Sequence, residues 1–160
     1  MLFLAMIGLG SCQEEDCCFP QAGGQVEFQL LKYYSTRPGT HSEIATAITA
    51  GKPFIRYDEI DSYDESNYTF TIDREVLSRV REITEPTPFA VVVDRHIVYT
   101  GFFWPSFMSI PCDCLRIDPL ATSDQLKVEL GYGALRDLSH LDHRNEKLLL
   151  STLQRDGKLK

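Results

Sequence analysis

Apolar and polar positions follow short, changing periods along this chain, and the periods predict a sequence of strands and helices. Val26, Phe28 and Leu30 alternate with polar neighbours, which predicts a half-buried strand over 25–33. Pro38-Gly39 marks a turn. Thr40-His41-Ser42-Glu43 has the spacing of a capping box, and Ile44 and Ile48 with nearby alanines give one apolar face. That pattern predicts a helix over 41–50, stopped by Gly51. Residues 54–57 make a short strand candidate, and the acidic stretch 58–67 reads as a loop. Tyr68, Phe70 and Ile72 alternate, predicting a strand over 67–72. Asp73 is a good N-cap for a helix over 74–83, with Val76, Leu77, Val80 and Ile83 inward. Glu85-Pro86-Thr87-Pro88 breaks it.

Phe89 to Val93 is apolar throughout, as expected of a strand covered on both faces. Asp94-Arg95-His96 then turns the chain into a strand over 97–104, forming a hairpin without the usual Asp-Gly. Pro105 to Pro111 reads as a loop, and Cys112 to Ile117 as a further strand. Leu126, Val128 and Leu130 alternate in another. Asp142 is the expected cap of a last helix over 143–154, and Arg155 to Lys160 the expected frayed end. The inventory is five to seven strands and about three helices. It predicts an α+β fold, with helices packed on a mixed or largely antiparallel sheet.

The run from Tyr68 to Trp104 orders a Phe-Thr strand, a short helix, an Ala-Val-Val-Val-Asp strand and a hairpin partner. In this it resembles the periplasmic head of secretion-accessory membrane proteins. The resemblance implies a topology for this segment and says nothing of activity.

The first residues have a different character. Met1 to Gly8 is apolar, too short to span a bilayer, and followed by Leu9-Gly10-Ser11-Cys12. This resembles the lipobox of bacterial lipoproteins, although no Lys or Arg precedes the apolar run. The resemblance implies removal of a signal peptide, residues 1–11, and lipidation of Cys12. Gln13-Glu14-Glu15-Asp16 resembles the acidic signal of surface-exported lipoproteins of Bacteroidota. It implies anchoring in the outer membrane facing outward, with a periplasm-facing position as the alternative. Residues 12–24 would then be a lipidated acidic tether and 25–160 one domain, large enough for a substantial core.

Composition narrows the partners. The formal net charge of −7 leaves no basic face for nucleic acid, so the membrane contact is expected through the lipid. Besides Cys12, four cysteines remain: Cys17, Cys18, Cys112 and Cys114. In an exported chain an even number favours disulfides. A bridge from Cys17 or Cys18 to Cys112 or Cys114 would close a long loop worth about 4–5 kcal/mol. The expectation is therefore one or two bridges stapling the tether to the strand that holds Cys112 and Cys114.

Chemistry is harder to place. Phe102, Trp104 and Phe107 lie in the densest aromatic stretch and are the expected contact residues for a protein partner or a glycan. Cys112-Asp113-Cys114 offers two thiolates to copper or zinc as an alternative to the staple. No Cys-x-x-Cys is present for thioredoxin-like chemistry. His140 and His143 would share a helix face, with Asp142 between them, but a zinc site needs further ligands. Asp58, Glu59, Asp61, Asp64 and Glu65 lack the spacing of a calcium loop. Ser139, His140 and Asp142 are too close in sequence to form a triad, and no nucleophile elbow or phosphate loop occurs. The reading is a lipid-anchored binding domain with no catalytic residues and no cofactor. Its alternatives are metal handling through the cysteines and a small hydrolase without a readable motif.

Overall fold

The computed structural model describes residues 24–160 except 122 and 135. The fold is sheet-rich α+β. The large sheet begins with a long antiparallel hairpin, β1 (Val26–Thr36) and β2 (Ile44–Ile55). A 3₁₀ turn over Tyr57–Glu59 leads into β3 (Ile60–Asp64) and β4 (Thr69–Ile72). Helix α1 (Arg74–Arg81) follows, then β5 (Thr87–Val93), β6 (His96–Phe103) and β7 (Cys112–Ile117). The chain closes with β8 (Gln125–Lys127), β9 (Glu129–Tyr132), a 3₁₀ turn over Ser139–Leu141 and helix α2 (Lys147–Arg155).

Six strands form one sheet in the order β2-β1-β5-β6-β7-β9, and three form another in the order β3-β4-β8. Every pair is antiparallel except β6 with β7. The sheet is therefore mixed, and the described residues hold nine strands and two α-helices rather than about three.

Because strand side chains alternate between faces, β6 feeds two cores. Phe103 joins the main core with Phe28, Phe89, Val91, Leu115 and Ile117, closed from below by the small sheet and both helices. Phe102 and Trp104 join a smaller cluster with Cys112 and Cys114, against which Ile44 and Met108 pack. Asp94 and Arg95 make the β5–β6 turn, both with positive φ (49° and 67°), so the hairpin forms without glycine.

The expected helix over 41–50 is strand. Ile44 and Ile48 are four residues apart, which fits one helix face and equally one strand face. The β-branched Thr46, Ile48 and Thr49 pair with β1, and that pairing decides the matter. The capping box dissolves with it: the Thr40 hydroxyl donates instead to Arg37 O at 2.8 Å. Gly51 sits at φ 76° within irregular β1–β2 pairing instead of ending a helix.

Four further expectations are corrected. The acidic stretch 58–67 contains β3, whose Ile60, Ser62 and Tyr63 are buried. The run 126–130 is two strands, because the chain leaves the small sheet at β8 and enters the large one at β9. The last residues are held: Tyr63 N donates to Lys158 O at 2.7 Å, and Lys160 N to Tyr63 O at 2.9 Å. Helix α2 starts after Glu146, because Asp142 is engaged with Arg144. The strand-helix-strand-strand order from Tyr68 to Trp104 is present, but β4 lies in the small sheet and not beside β5.

The parallel β6–β7 contact depends on Gly101. A Cβ there would lie 2.4 Å from Leu115 O and 3.0 Å from Phe89 Cζ. Gly101→Ala must push two backbones apart, and overpacking of this kind costs about 1–3 kcal/mol. A urea melt of the alanine variant should show a midpoint lowered by that amount with the slope unchanged; an unchanged midpoint would mean the strands separate freely.

Candidate functional site

The turn joining β1 to β2 folds over the sheet and docks on β7. Asp113 N–H donates to Ser42 Oγ at 2.8 Å, and His41 N–H donates to Asp113 Oδ2 at 3.1 Å. Pro38-Gly39 allows this turn, with Gly39 at φ 79°. Docking carries Glu43 inside, where it is 2% exposed. Its carboxylate meets Arg37 Nε from the same turn and Arg136 Nη2 at 3.1 Å. His140 Nε2 lies 3.4 Å away. Arg136 Nη2 also reaches Asp113 Oδ2 at 3.3 Å. Two carboxylates thus share two guanidiniums and an imidazole drawn from three separate stretches of chain.

Part of this cluster lines a cleft of about 290 Å³. Glu43, Arg37, His140 and His143 line its polar part, Ile44, Ile97 and Leu141 its apolar part, and Cys114 one wall. Burying a carboxylate carries a desolvation penalty that pairing only partly offsets, so such clusters are weak evidence for stability. Arg37 spends Nε and Arg136 spends Nη2 on protein carboxylates.

A second buried carboxylate shows the contrast. Glu59 pairs with Arg79 at 3.1 Å and Arg56 at 3.2 Å, but it also accepts Arg56 N–H at 2.8 Å and so closes its own turn. Arg79 at the same time donates to Phe54 O at 3.0 Å. That cluster ties α1 to the chain entering β3 and is fully accounted for by the fold.

The aromatic residues do not form a joint platform. Phe102 is 3% and Trp104 5% exposed, while Phe107 is 61% exposed. Phe102 is covered edge-on by Tyr34, with ring centroids 5.7 Å apart, and Trp104 packs on Phe102 at 6.0 Å. The inward twist of the β1–β2 hairpin covers the face that the alternation alone leaves open.

Cys112 and Cys114 pair with each other, their Cα atoms 5.4 Å apart, across an irregularity in the β7–β9 register. Cys12, Cys17 and Cys18 lie outside the described residues, as do the leader and most of the tether. A loop closed over one residue restricts the unfolded chain little, worth about 1–2 kcal/mol against about 4–5 for the long loop.

The remaining candidates separate. His140 turns to Glu43, while His143 Nδ1 pairs with Glu146 at 3.5 Å. Asp142 serves Arg144, and the Arg144 hydrogen bonds hold its carboxyl below the usual range. Asp58 pairs with Arg56, and Asp64 bonds Ser66 and Asn67. Among the described residues no group of three His, Cys, Asp or Glu side chains is placed to hold a metal ion. Among them, too, no helix is long and apolar enough to cross a membrane.

Sequence reasoning missed Arg37, Glu43, Asp113 and Arg136 as a unit. Only Asp113 carried a local signal, its place between two cysteines. The chain matches no family model, no curated protein and no solved structure.

Proposed function

We propose that this chain is an outer-membrane, surface-exposed lipoprotein, anchored through Cys12, whose domain binds the carboxylate-bearing end of an envelope ligand. The ligand is an acidic glycan unit or the end of a protein chain. The observation that carries the reading is the buried Glu43 carboxylate, which holds Arg37 and His140 on the lining of one cleft and pairs with Arg136 beside it. A guanidinium held in this way on the lining, that of Arg37, is a charged donor of the kind that recognises a carboxylate. The cleft volume of about 290 Å³ suits one sugar ring or one terminal residue.

The hydrolase alternative finds less support. The Glu43 oxygens are already committed to Arg37, Arg136 and His140, and Ser42 Oγ accepts Asp113 N–H in a buried position. Both side chains serve to dock the β1–β2 turn, the role the contacts give them.

Calorimetric titration of the full chain carrying Cys12→Ser with glucuronate, with a short peptide bearing a free C-terminus, and with neutral glucose tests the proposal. Glucuronate or the peptide should bind and glucose should not. Arg37→Ala removes one charged donor from the exposed rim, worth about 1.5–3 kcal/mol, and should weaken binding roughly tenfold or more. Equal affinity for all three probes, or an unaffected Arg37→Ala variant, would defeat the carboxylate reading. Radiolabelled fatty acid incorporated into wild type and absent from Cys12→Ser tests the anchor separately.

A further inference from the structure

We infer that the Cys112–Cys114 bridge is a thiol–disulfide exchange centre, which accepts two electrons from a dithiol entering the cleft. This goes beyond ligand binding and does not depend on it. Three observations converge. The bridge spans a single residue, so it closes too short a loop to act as a staple for the fold. Cys114, 3% exposed, lines the cleft, whereas Cys112, 0% exposed, is not among the lining residues. The cleft that Cys114 lines also carries the Arg37 guanidinium, held there by Glu43, and a guanidinium near an approaching sulfur favours its thiolate form.

The residue between the cysteines explains how the site survives reduction. Asp113 is held by its own N–H to Ser42 Oγ and through its carboxylate to His41 N–H and Arg136. None of these contacts uses sulfur. Opening the bridge therefore leaves Asp113 fixed to the β1–β2 turn, and both redox forms keep the same backbone.

The exchange proceeds in two displacements. One thiolate of the donor attacks Cys114 Sγ. The Sγ–Sγ bond breaks, and its electron pair leaves on Cys112 Sγ, which takes up a proton. The donor's second thiolate then attacks the donor sulfur of the mixed disulfide and releases Cys114, which is protonated in turn. The donor becomes a disulfide, the bridge becomes two thiols, and the two protons come from the donor thiols. The reverse sequence delivers a disulfide to a reduced dithiol. The partner class is a reduced protein or small molecule carrying paired thiols.

The test uses the full chain with Cys12, Cys17 and Cys18 replaced by serine, so that only this pair reports. Incubation with excess reduced glutathione, followed by alkylation and mass spectrometry, should label both Cys112 and Cys114 while the circular dichroism spectrum stays native. A bridge that resists glutathione until urea unfolds the chain would overturn the proposal and leave a structural disulfide. Two further variants test the direction of attack with oxidised glutathione. Cys112→Ser should capture glutathione on Cys114, and Cys114→Ser should lose that capture. Equal capture by both, or by neither, would overturn the assignment of Cys114 as the attacked sulfur. Should a variant fail to fold, labelling of the parent chain still decides whether the bridge exchanges in the native state.

Discussion

Replacing Phe70 with alanine is expected to cost about 3–5 kcal/mol, the range for truncating a buried aromatic side chain. Phe70 stands on β4 and is fully buried. Its ring meets Phe28 of β1 edge-on at 5.0 Å and Tyr63 of β3 at 4.4 Å. It is therefore the main aromatic link between the small sheet and the large one. The alanine leaves a cavity at that junction, and neither sheet can collapse into it without breaking its own ladder. For a domain of this size each kcal/mol lowers the midpoint by about 2–4 °C, so a drop of roughly 10 °C is expected. A thermal melt followed by circular dichroism measures it. A shift of only a degree or two would show that the small sheet contributes little to the cooperative unit.

The second large effect is expected at Arg144. Its guanidinium donates to Asp142 through Nε at 2.7 Å and Nη2 at 2.8 Å, and through Nη1 to Val128 O at 3.1 Å. It also stacks on the Tyr68 ring at 3.6 Å. Arg144 thus fastens the segment before α2 to the point where the chain passes from one sheet to the other. Arg144→Ala strands the Val128 carbonyl and removes the partner of Asp142, at a cost of about 3 kcal/mol, since Asp142 keeps some contact with solvent. Arg144→Lys retains the charge but not the fork, and should recover only part of the loss. A pH series distinguishes the ion pair from simple packing. Asp142 titrates below its unfolded value because of the Arg144 hydrogen bonds. Its contribution is therefore complete above the unfolded pKa of about 3.9 and is lost as pH falls through the lower folded value. Wild type should lose stability across that acid interval more steeply than Arg144→Ala. Parallel acid profiles would mean that Arg144 acts through packing alone.

The parts of the fold legible in the sequence are those where one period excludes the other. The unbroken apolar run of β5 and the Val76, Leu77, Val80 spacing of α1 each have a single reading. Strand β2 did not, because its isoleucines fit both periods and only pairing with β1 distinguishes them. Strand β3 was hidden by its acidic neighbours, since Asp61 and Asp64 flank residues whose burial depends on a distant C-terminal segment. The cleft was illegible for a related reason. Ser42 meets Asp113, and Glu43 meets Arg136, across 71 and 93 residues of intervening chain. No local pattern encodes a contact made by topology. The three aromatic residues show the converse error. Their alternation correctly separates Phe103 from Phe102 and Trp104, but it cannot tell whether another strand covers the second face.

The assembly of the cleft from the β1–β2 turn, β7 and the stretch before α2 has a thermodynamic consequence. An unfolded or partly folded chain holds these segments far apart and offers no ligand a rim of paired guanidiniums. Any molecule bound there engages the native state alone. Its occupancy then adds to global stability by mass action, about 2.7 kcal/mol at a hundredfold excess over the dissociation constant. The domain's resistance to heat and to proteases would then rise with the concentration of whatever the cleft holds, making its lifetime a readout of what the cleft has found.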